Sequence, residues 1–175
     1  MRTPEGERKR FARGWGSGKS DGTVCGFGST LKATEVIREW LPSVVRTFDL
    51  RRICDAGAGD LHWIARVVWP AGTVYQPYDL VVRHPFVQEL DITAEPLPEC
   101  DLILCRYVLN HLNAEQVERA LWQFQCAGRY LLATQFPSDD RTPGDFHEYD
   151  LRTFGLGEPL TTHPDARGEL ALWRL

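Results

Sequence analysis

The segment Ile53-Cys54-Asp55-Ala56-Gly57-Ala58-Gly59-Asp60 constrains this chain more than any other. A short apolar run ends in a carboxylate, passes through Gly-x-Gly and enters a helix-start pattern. An open α/β sheet builds a nucleotide site in this way, at the carboxyl end of its first strand. The two glycines let the backbone turn sharply and approach a ligand more closely than side chains would allow. The full dinucleotide pattern requires a third glycine at position 62, where this chain has His62. An imidazole there hinders pyrophosphate approach and close helix–strand packing. The turn therefore suits a nucleoside ligand that carries no pyrophosphate.

The apolar pattern around this turn alternates strands with helices. From Leu31 onward, positions 33, 36, 37, 40, 41, 44, 45 and 48 share one helical face, and Pro42 is expected to kink or restart that helix. The pattern predicts a strand over 52–56, a glycine turn over 57–59, and a helix over 60–69 that ends before Pro70. Residues 72–79 read as a second strand and 88–92 as a short third one. Asp101-Leu102-Ile103-Leu104-Cys105 is the near-continuous apolar run of a parallel strand covered on both faces. Asn113 and Gln116 form a capping-box pair for a helix running to about 125, followed by a strand over 129–134. Residues 160–175 read as two strands joined around Pro164-Asp165. This order predicts an α/β fold with a Rossmann-like, doubly wound, mostly parallel sheet and an antiparallel C-terminal hairpin. Residues 1–28 read as a basic, Gly/Ser-rich arm that can act as a lid through Trp15 and Phe27, and 29–175 as the folded domain.

Bulk properties narrow the function classes. With 175 residues, 43% hydrophobic and 25% charged, the chain can build one ordinary core. No apolar stretch approaches the ~20 residues of a bilayer span, so a cytoplasmic protein without a membrane partner is expected. The five cysteines (25, 54, 100, 105 and 126) lack Cys-x-x-Cys spacing and read as structural thiols, with no metal site. The net charge of −4 divides into +4 over residues 1–20 and −8 over the remainder. An acidic body is unlike a general nucleic-acid binder, although the basic arm could touch phosphates. Gly16-Ser17-Gly18-Lys19-Ser20 ends like a P-loop, but Arg13 stands where the first glycine belongs and no strand precedes it.

Several residues fall where such a sheet would carry chemistry. Asp79 lies 24 residues after Asp55, at the end of the second predicted strand, where an acid can accept both ribose hydroxyls; the alternative is an exposed turn acid. Asp91 and Ile92 end the third strand, where a carboxylate could accept an adenine amino group and the isoleucine could cover the ring. Arg106, Tyr107, Asn110 and His111 follow the fourth strand. His111 can serve as a general base at neutral pH, or simply as a backbone-bonded histidine at a helix start. Tyr107 can contact substrate or pack in the core. His147, Glu148 and Tyr149 follow the fifth strand in a position suited to substrate contact, whereas Trp63, Trp69, Trp122 and Trp173 read as packing residues.

Asp55-Ala-Gly57-Ala-Gly59-Asp60, Asp79, Asp91-Ile92 and Cys100-Asp-Leu-Ile-Leu-Cys105-Arg106 together resemble a class I S-adenosylmethionine-dependent methyltransferase. The likeness covers roughly residues 25–175. A poorly characterised bacterial and phage group shares Gly26-Phe-Gly28-Ser29-Thr30-Leu31, Val108-Leu-Asn-His111-Leu112 and the final Leu-Trp173-Arg174-Leu. The resemblance implies S-adenosylmethionine as cofactor. Asp55, Gly57, Gly59 and Asp60 would hold its methionine end, Asp79 the ribose, and Asp91 with Ile92 the adenine. Arg106, Tyr107 and His111 are then the candidate catalytic residues, and a small polar molecule, a nucleotide or a glycan group the expected acceptor. Two features depart from the pattern. Tyr107 replaces an acid usual in that group, and neither the Asp/Asn-Pro-Pro-aromatic motif nor the Pro-Cys nucleophile of DNA methyltransferases is present. A nucleic-acid or modified-base methyltransferase, a non-catalytic S-adenosylmethionine-binding module, and an enzyme consuming S-adenosylmethionine without an acceptor remain open alternatives.

Overall fold

The two central strands are buried on both faces, and that fixes the layering. In the computed structural model, which describes residues 4–14, 21–138 and 146–175, Ile53, Cys54, Leu102, Ile103 and Leu104 are wholly inaccessible to solvent. The strands are β1 (Arg52–Ala56), β2 (Val74–Asp79), β3 (Gln88–Glu89), β4 (Cys100–Cys105), β5 (Gly128–Gln135), β6 (Thr161–Pro164) and β7 (Glu169–Arg174). They form one seven-stranded sheet in the order β3-β2-β1-β4-β5-β7-β6. Pairings from β3 through β5 are parallel, and β7 runs antiparallel to both β5 and β6. The Rossmann-like, doubly wound sheet with its antiparallel C-terminal hairpin is thus the fold of this chain.

Alternation along each strand sends side chains to two helical layers. Ile53, Leu102, Leu104, Leu132 and Leu170 pack with Ile37, Leu41, Val44 and Val45 of α2 (Glu35–Thr47). Cys54, Ile103, Cys105, Leu131 and Trp173 pack with Val117, Ala120, Leu121 and Phe124 of α3 (Ala114–Ala127). The expected capping box is present: Asn113 Oδ1 accepts from Gln116 N and Gln116 Oε1 accepts from Asn113 N, both at 2.9 Å. Cys54, Cys100 and Cys105 are buried free thiols.

Four local expectations are corrected. The helix expected over 60–69 is reduced to a single 3-10 turn, Ile64–Arg66. Its start is blocked because Leu61 has a left-handed φ of 59° and the Asp60 carboxylate draws in the His62 amide. Pro42 does not restart α2, which runs unbroken through it from Glu35 to Thr47. The buried face formed by Leu41, Pro42, Val44 and Val45 offsets the roughly 3 kcal/mol that an interior proline costs. The third strand stops at Glu89, since Asp91 folds the next residues into a turn by accepting Thr93 N on its side chain and Glu95 N on its carbonyl. Trp122 is 61% exposed on α3 and does not pack in the core.

The arm contains a helix the pattern did not indicate, α1 (Pro4–Ala12). It rests on the body through Arg10 Nη2, which donates to the His111 carbonyl at 2.6 Å, and through an Arg8–Glu89 ion pair. Trp15 and the P-loop-like segment 16–20 lie outside the described residues. Among the described residues no helix is long and apolar enough to cross a membrane.

Replacing Asn113 with Ala removes one half of the capping box and should cost about 1 kcal/mol of stability. Urea unfolding is expected to show a lower midpoint with an unchanged slope, and Gln116→Ala a smaller shift in the same direction.

Candidate functional site

The glycine turn leaves the carboxyl end of β1 where the strand order reverses between β1 and β4, the crevice in which open α/β sheets bind ligands. Gly57 has a φ of +105° and Gly59 one of +63°, both in the region that favours glycine. The amides of Gly57 and Ala58 donate to the Tyr78 carbonyl at 2.8 and 3.0 Å, tying the turn to the end of β2. A Cβ on Gly57 would overlap Val108, and one on Gly59 would lie 2.6 Å from Cys25 Sγ. The turn is therefore held between the segment after β4 and the segment before α2.

A cavity of about 390 Å³ opens over this turn, within the usual range for small-molecule sites. The ten residues given cofactor or catalytic roles from the sequence line it, Asp55, Gly57, Gly59, Asp60, Asp79, Asp91, Ile92, Arg106, Tyr107 and His111, whereas the further candidates Asn110, His147, Glu148 and Tyr149 do not. Their side chains are engaged in different ways. Asp55 is buried and accepts a hydrogen bond from the Tyr75 hydroxyl on Oδ2. Burial pushes its carboxyl up to about 7; the nearby Asp79 adds to this, while the Tyr75 bond and Arg106 oppose it. Asp79 accepts from Gly59 N at 2.8 Å on Oδ2 and from Val81 N at 2.9 Å on Oδ1. Burial raises its carboxyl above the ordinary value despite those amides.

Asp60 behaves differently. Burial acts to raise its carboxyl, but bonds from Val24 N, Thr23 Oγ1 and His62 N outweigh it and hold the group low. Those contacts, 2.8 Å each to Val24 and Thr23, pin the residues before α2 against the glycine turn. Asp91 accepts from Thr93 N and Thr93 Oγ1, both on Oδ1, leaving Oδ2 without a donor among the described residues. Ile92 is buried beside it.

After β4, Arg106 forms a two-pronged pair with Asp165, Nε to Oδ2 at 2.8 Å and Nη2 to Oδ1 at 2.6 Å, and lies over the Trp63 ring. Tyr107 takes a left-handed φ of 53°, and its hydroxyl both accepts from Arg167 N and donates to Arg167 O at 2.6 Å. Burial pushes that phenol up to about 12. His111 meets Phe11 and Phe146 edge-on, at centroid distances of 6.1 and 5.6 Å.

Phe11, Cys25, Arg83, Phe146 and Arg167 also line the cavity and were not singled out. Phe11 comes from the unexpected α1, and Arg83 holds it by donating to its carbonyl. Arg167 arrives on the β6–β7 turn, and nothing local to that turn signals contact with the end of β4. His147 does not line the cavity; its amide donates to the Asn110 carbonyl at 2.7 Å, and the neighbouring Phe146 reaches the site instead. Tyr149 is core, its hydroxyl donating to the Leu112 carbonyl. Among the described residues no group of three or more His, Cys, Asp or Glu is placed to hold a metal ion.

No protein-family model matches the sequence, and no curated protein is similar to it in sequence. Solved structures do share the fold. A magnesium protoporphyrin IX methyltransferase from Synechocystis PCC 6803 with bound SAH superposes with a TM-score of 0.62 at 17% identity, covering 99% of this chain and 96% of that one. The N-terminal domain of EvdMO1, in the presence of SAH and D-fucose, gives 0.56 at 13% identity over 96% and 94%. Human N-acetylserotonin methyltransferase in complex with SAM gives 0.53 at 18% identity, with 82% of this chain spanning 55% of that protein. At these identities the likeness is one of fold.

The Asp55 carboxyl gives a signed test of the buried site. A folded-state value near 7, against an ordinary 3.8, means the native state keeps a proton the unfolded chain releases. Wild-type stability then declines as pH rises from about 4 to 7, by at most roughly 1.4 kcal/mol per pH unit from this group. Asp55→Asn cannot ionise, so urea unfolding from pH 5 to 8 should show the variant gaining on the wild type up to pH 7 and levelling off. A constant difference over that range would mean Asp55 is already ionised in the fold at pH 5.

Proposed function

We propose that this protein is an S-adenosylmethionine-dependent methyltransferase acting on a small polar molecule, a nucleotide or a glycan group. The observation that carries the reading is the convergence of the Gly57–Gly59 turn with Asp55, Asp79 and Asp91 on one cavity at the reversal of strand order. The donor and acceptor set fits the cofactor. Carboxylates at successive strand ends suit an ammonium, a pair of ribose hydroxyls and an exocyclic amine, and Asp91 retains an uncommitted oxygen. Ile92 offers an apolar face for a purine. The fold shared with methyltransferases that carry SAM or SAH supports the same reading, and the names of those proteins indicate small-molecule work.

In this reading Asp55 and the glycine turn hold the methionine end, Asp79 the ribose, and Asp91 with Ile92 the adenine. When bound, S-adenosylmethionine supplies a methyl group on a positively charged sulfur. Alignment is most of what a protein contributes to such a transfer. Arg106 and Tyr107 contribute by position, because their side chains are committed to Asp165 and to the Arg167 backbone. His111, which lines the cavity after β4, is assigned the role of taking a proton from an acceptor hydroxyl or amine. Asp60 acts through the loop before α2 rather than on the ligand. We include in the proposal the bacterial and phage affiliation, a cytoplasmic setting, and the division into an arm, 1–28, and a methyltransferase domain, 29–175. A polynucleotide acceptor is less favoured, since Arg8 and Arg10 face the body of the protein.

Calorimetric titration with SAH tests the reading. Wild type should bind at micromolar concentration, and Asp79→Asn, which still offers Gly59 an acceptor, should bind at least tenfold more weakly, about 1.4 kcal/mol. Absence of wild-type binding to both SAM and SAH at millimolar ligand would overturn it.

A further inference from the structure

Asp55 is a buried acid at the cavity wall, 4% exposed. Among the described residues its side chain takes one hydrogen bond, from the Tyr75 hydroxyl on Oδ2, and no ion pair. Arg106, the cation that acts on it, is committed to Asp165 through both prongs. An ionised carboxylate in such a place is costly until a cation joins it. Resting on the cofactor reading above, we infer that Tyr75 is a positioning residue for the cofactor's ammonium: it holds Asp55 in the orientation in which the ammonium pairs with it, and binding drives the Asp55 proton into solvent.

The place of Tyr75 follows from the strand register. Ile53 of β1 pairs with Tyr75 of β2, and Asp55 pairs with Pro77, so the acid sits level with a residue that has no side-chain donor. Side chains two apart on a strand share a face, and a tyrosine at 75 is long enough to reach along that face to Asp55. The Tyr75 ring is stacked on Trp69 at 5.6 Å and 22°, and both pack against the core beneath α2. The ring therefore has a fixed direction, and its hydroxyl engages one carboxylate oxygen. Oδ1 takes no hydrogen bond among the described residues. Burial and the Asp55 charge push the phenol well above its ordinary value, so it stays a donor wherever Asp55 titrates.

The surroundings decide when Asp55 is charged. Burial pushes its carboxyl up to about 7 against the Tyr75 bond, with Asp79 adding to the rise and Arg106 opposing it. The other titratable groups that act with it are the thiols of Cys54, on its own strand, and Cys105, at the end of β4. Below that pH the ligand-free protein keeps the Asp55 proton. An ammonium beside Oδ1 favours the ionised form. The proton then passes to solvent, and the carboxylate is left between the ammonium and the phenol, with no covalent bond of the ligand changed. Affinity for an ammonium-bearing ligand accordingly rises with pH, by at most about tenfold per unit, and levels off near 7. Without the Tyr75 hydroxyl the same rise falls at higher pH.

The test is calorimetric titration with SAH in buffers of different protonation heat, so that the difference in measured heat counts protons. Wild type should release close to one proton per SAH near pH 6 and about none at pH 8. Asp55→Asn should release none at either pH. Neither should wild type with 5′-methylthioadenosine, which keeps the nucleoside and lacks the amino-acid end. Tyr75→Phe keeps the ring on Trp69. It should bind SAH about threefold or more weakly near pH 7, and its affinity should level off about one pH unit higher than in wild type. Its affinity for 5′-methylthioadenosine should not change. SAH binding without proton release near pH 6, or equal release with 5′-methylthioadenosine, overturns the inference. So does a Tyr75→Phe deficit that is the same at every pH from 5 to 8, which a merely structural tyrosine would give. If SAH binds at no pH, the cofactor reading itself fails and takes this inference with it.

Discussion

Two missing Cβ atoms hold this site together. Gly57 and Gly59 take backbone angles that cost other residues energy, and the space their side chains would fill is occupied by Val108 and Cys25. Three segments far apart in sequence, the loop before α2, the turn after β1 and the start of the β4 crossover, can nest only on that condition. Hydrogen bonds then fix the nest. Gly57 and Ala58 bond to the end of β2, Gly59 bonds to Asp79, and Asp60 reaches across to Thr23 and Val24. The ligand-facing carboxylates are therefore placed by the same contacts that hold the turn, and ligand geometry and local stability are not separable here.

The second support comes from the far end of the chain. Arg106 and Asp165 have side chains 4% and 0% exposed, so the pair is a desolvated one. Such a pair adds little over apolar packing, but removal of one partner costs about 3–5 kcal/mol, because it strands a buried charge. Its two-pronged geometry defines direction as well as distance. With the Tyr107–Arg167 bonds it fastens the β6–β7 turn over the end of β4, which converts a peripheral hairpin into a wall of the cavity. Tyr107 achieves this from a left-handed backbone, a conformation uncommon for a bulky residue and seen most often where function imposes it.

What could be read from the sequence was whatever local pattern decides. β1 and β4 are apolar runs bounded by charged or glycine residues, and Asn113 with Gln116 encodes its own helix start; all three formed as expected. The co-location of ten candidate residues was legible for a related reason: in a doubly wound sheet every strand ends on the same edge. The expectations that failed depended on partners distant in sequence. Asp60 looks like the first residue of a helix, but it is drawn to Thr23 and Val24, and with Leu61 left-handed the helix cannot propagate. Phe11 belongs to a segment whose composition suggested only a charged arm, and α1 gains its place from Arg10, Arg83 and Glu89 contacts that no local window contains. Arg167 belongs to a hairpin turn, and the pairing of Asp165 with Arg106, 59 residues earlier, together with the Tyr107 bonds to its own backbone, brings it to the cavity.

The two-sided character of the cavity follows from the strand order. After β1 the chain first extends the sheet through β2 and β3, whose ends are short turns closed by Asp79 and Asp91. Carboxylates are favoured there because each can accept the amides of its own turn, Val81 for Asp79 and Thr93 for Asp91. The chain then returns to the other side of β1 through β4, β5 and the hairpin, where the segments after the strands bring in His111 after β4 and Phe146 after β5, and Phe11 of α1, held from the β2–β3 side, meets His111 edge-on. Their mutual edge-on packing replaces the hydrogen-bonded turns of the acidic side as the source of rigidity. Asp55, at the boundary, is buried from both sides, and its carboxyl rises toward neutrality because neither half provides it with a full cationic partner. The sheet thus sets hydrogen-bonded acidic turns at the ends of β2 and β3 and ring-bearing segments after β4 and β5, with the glycine turn and a protonatable acid between them.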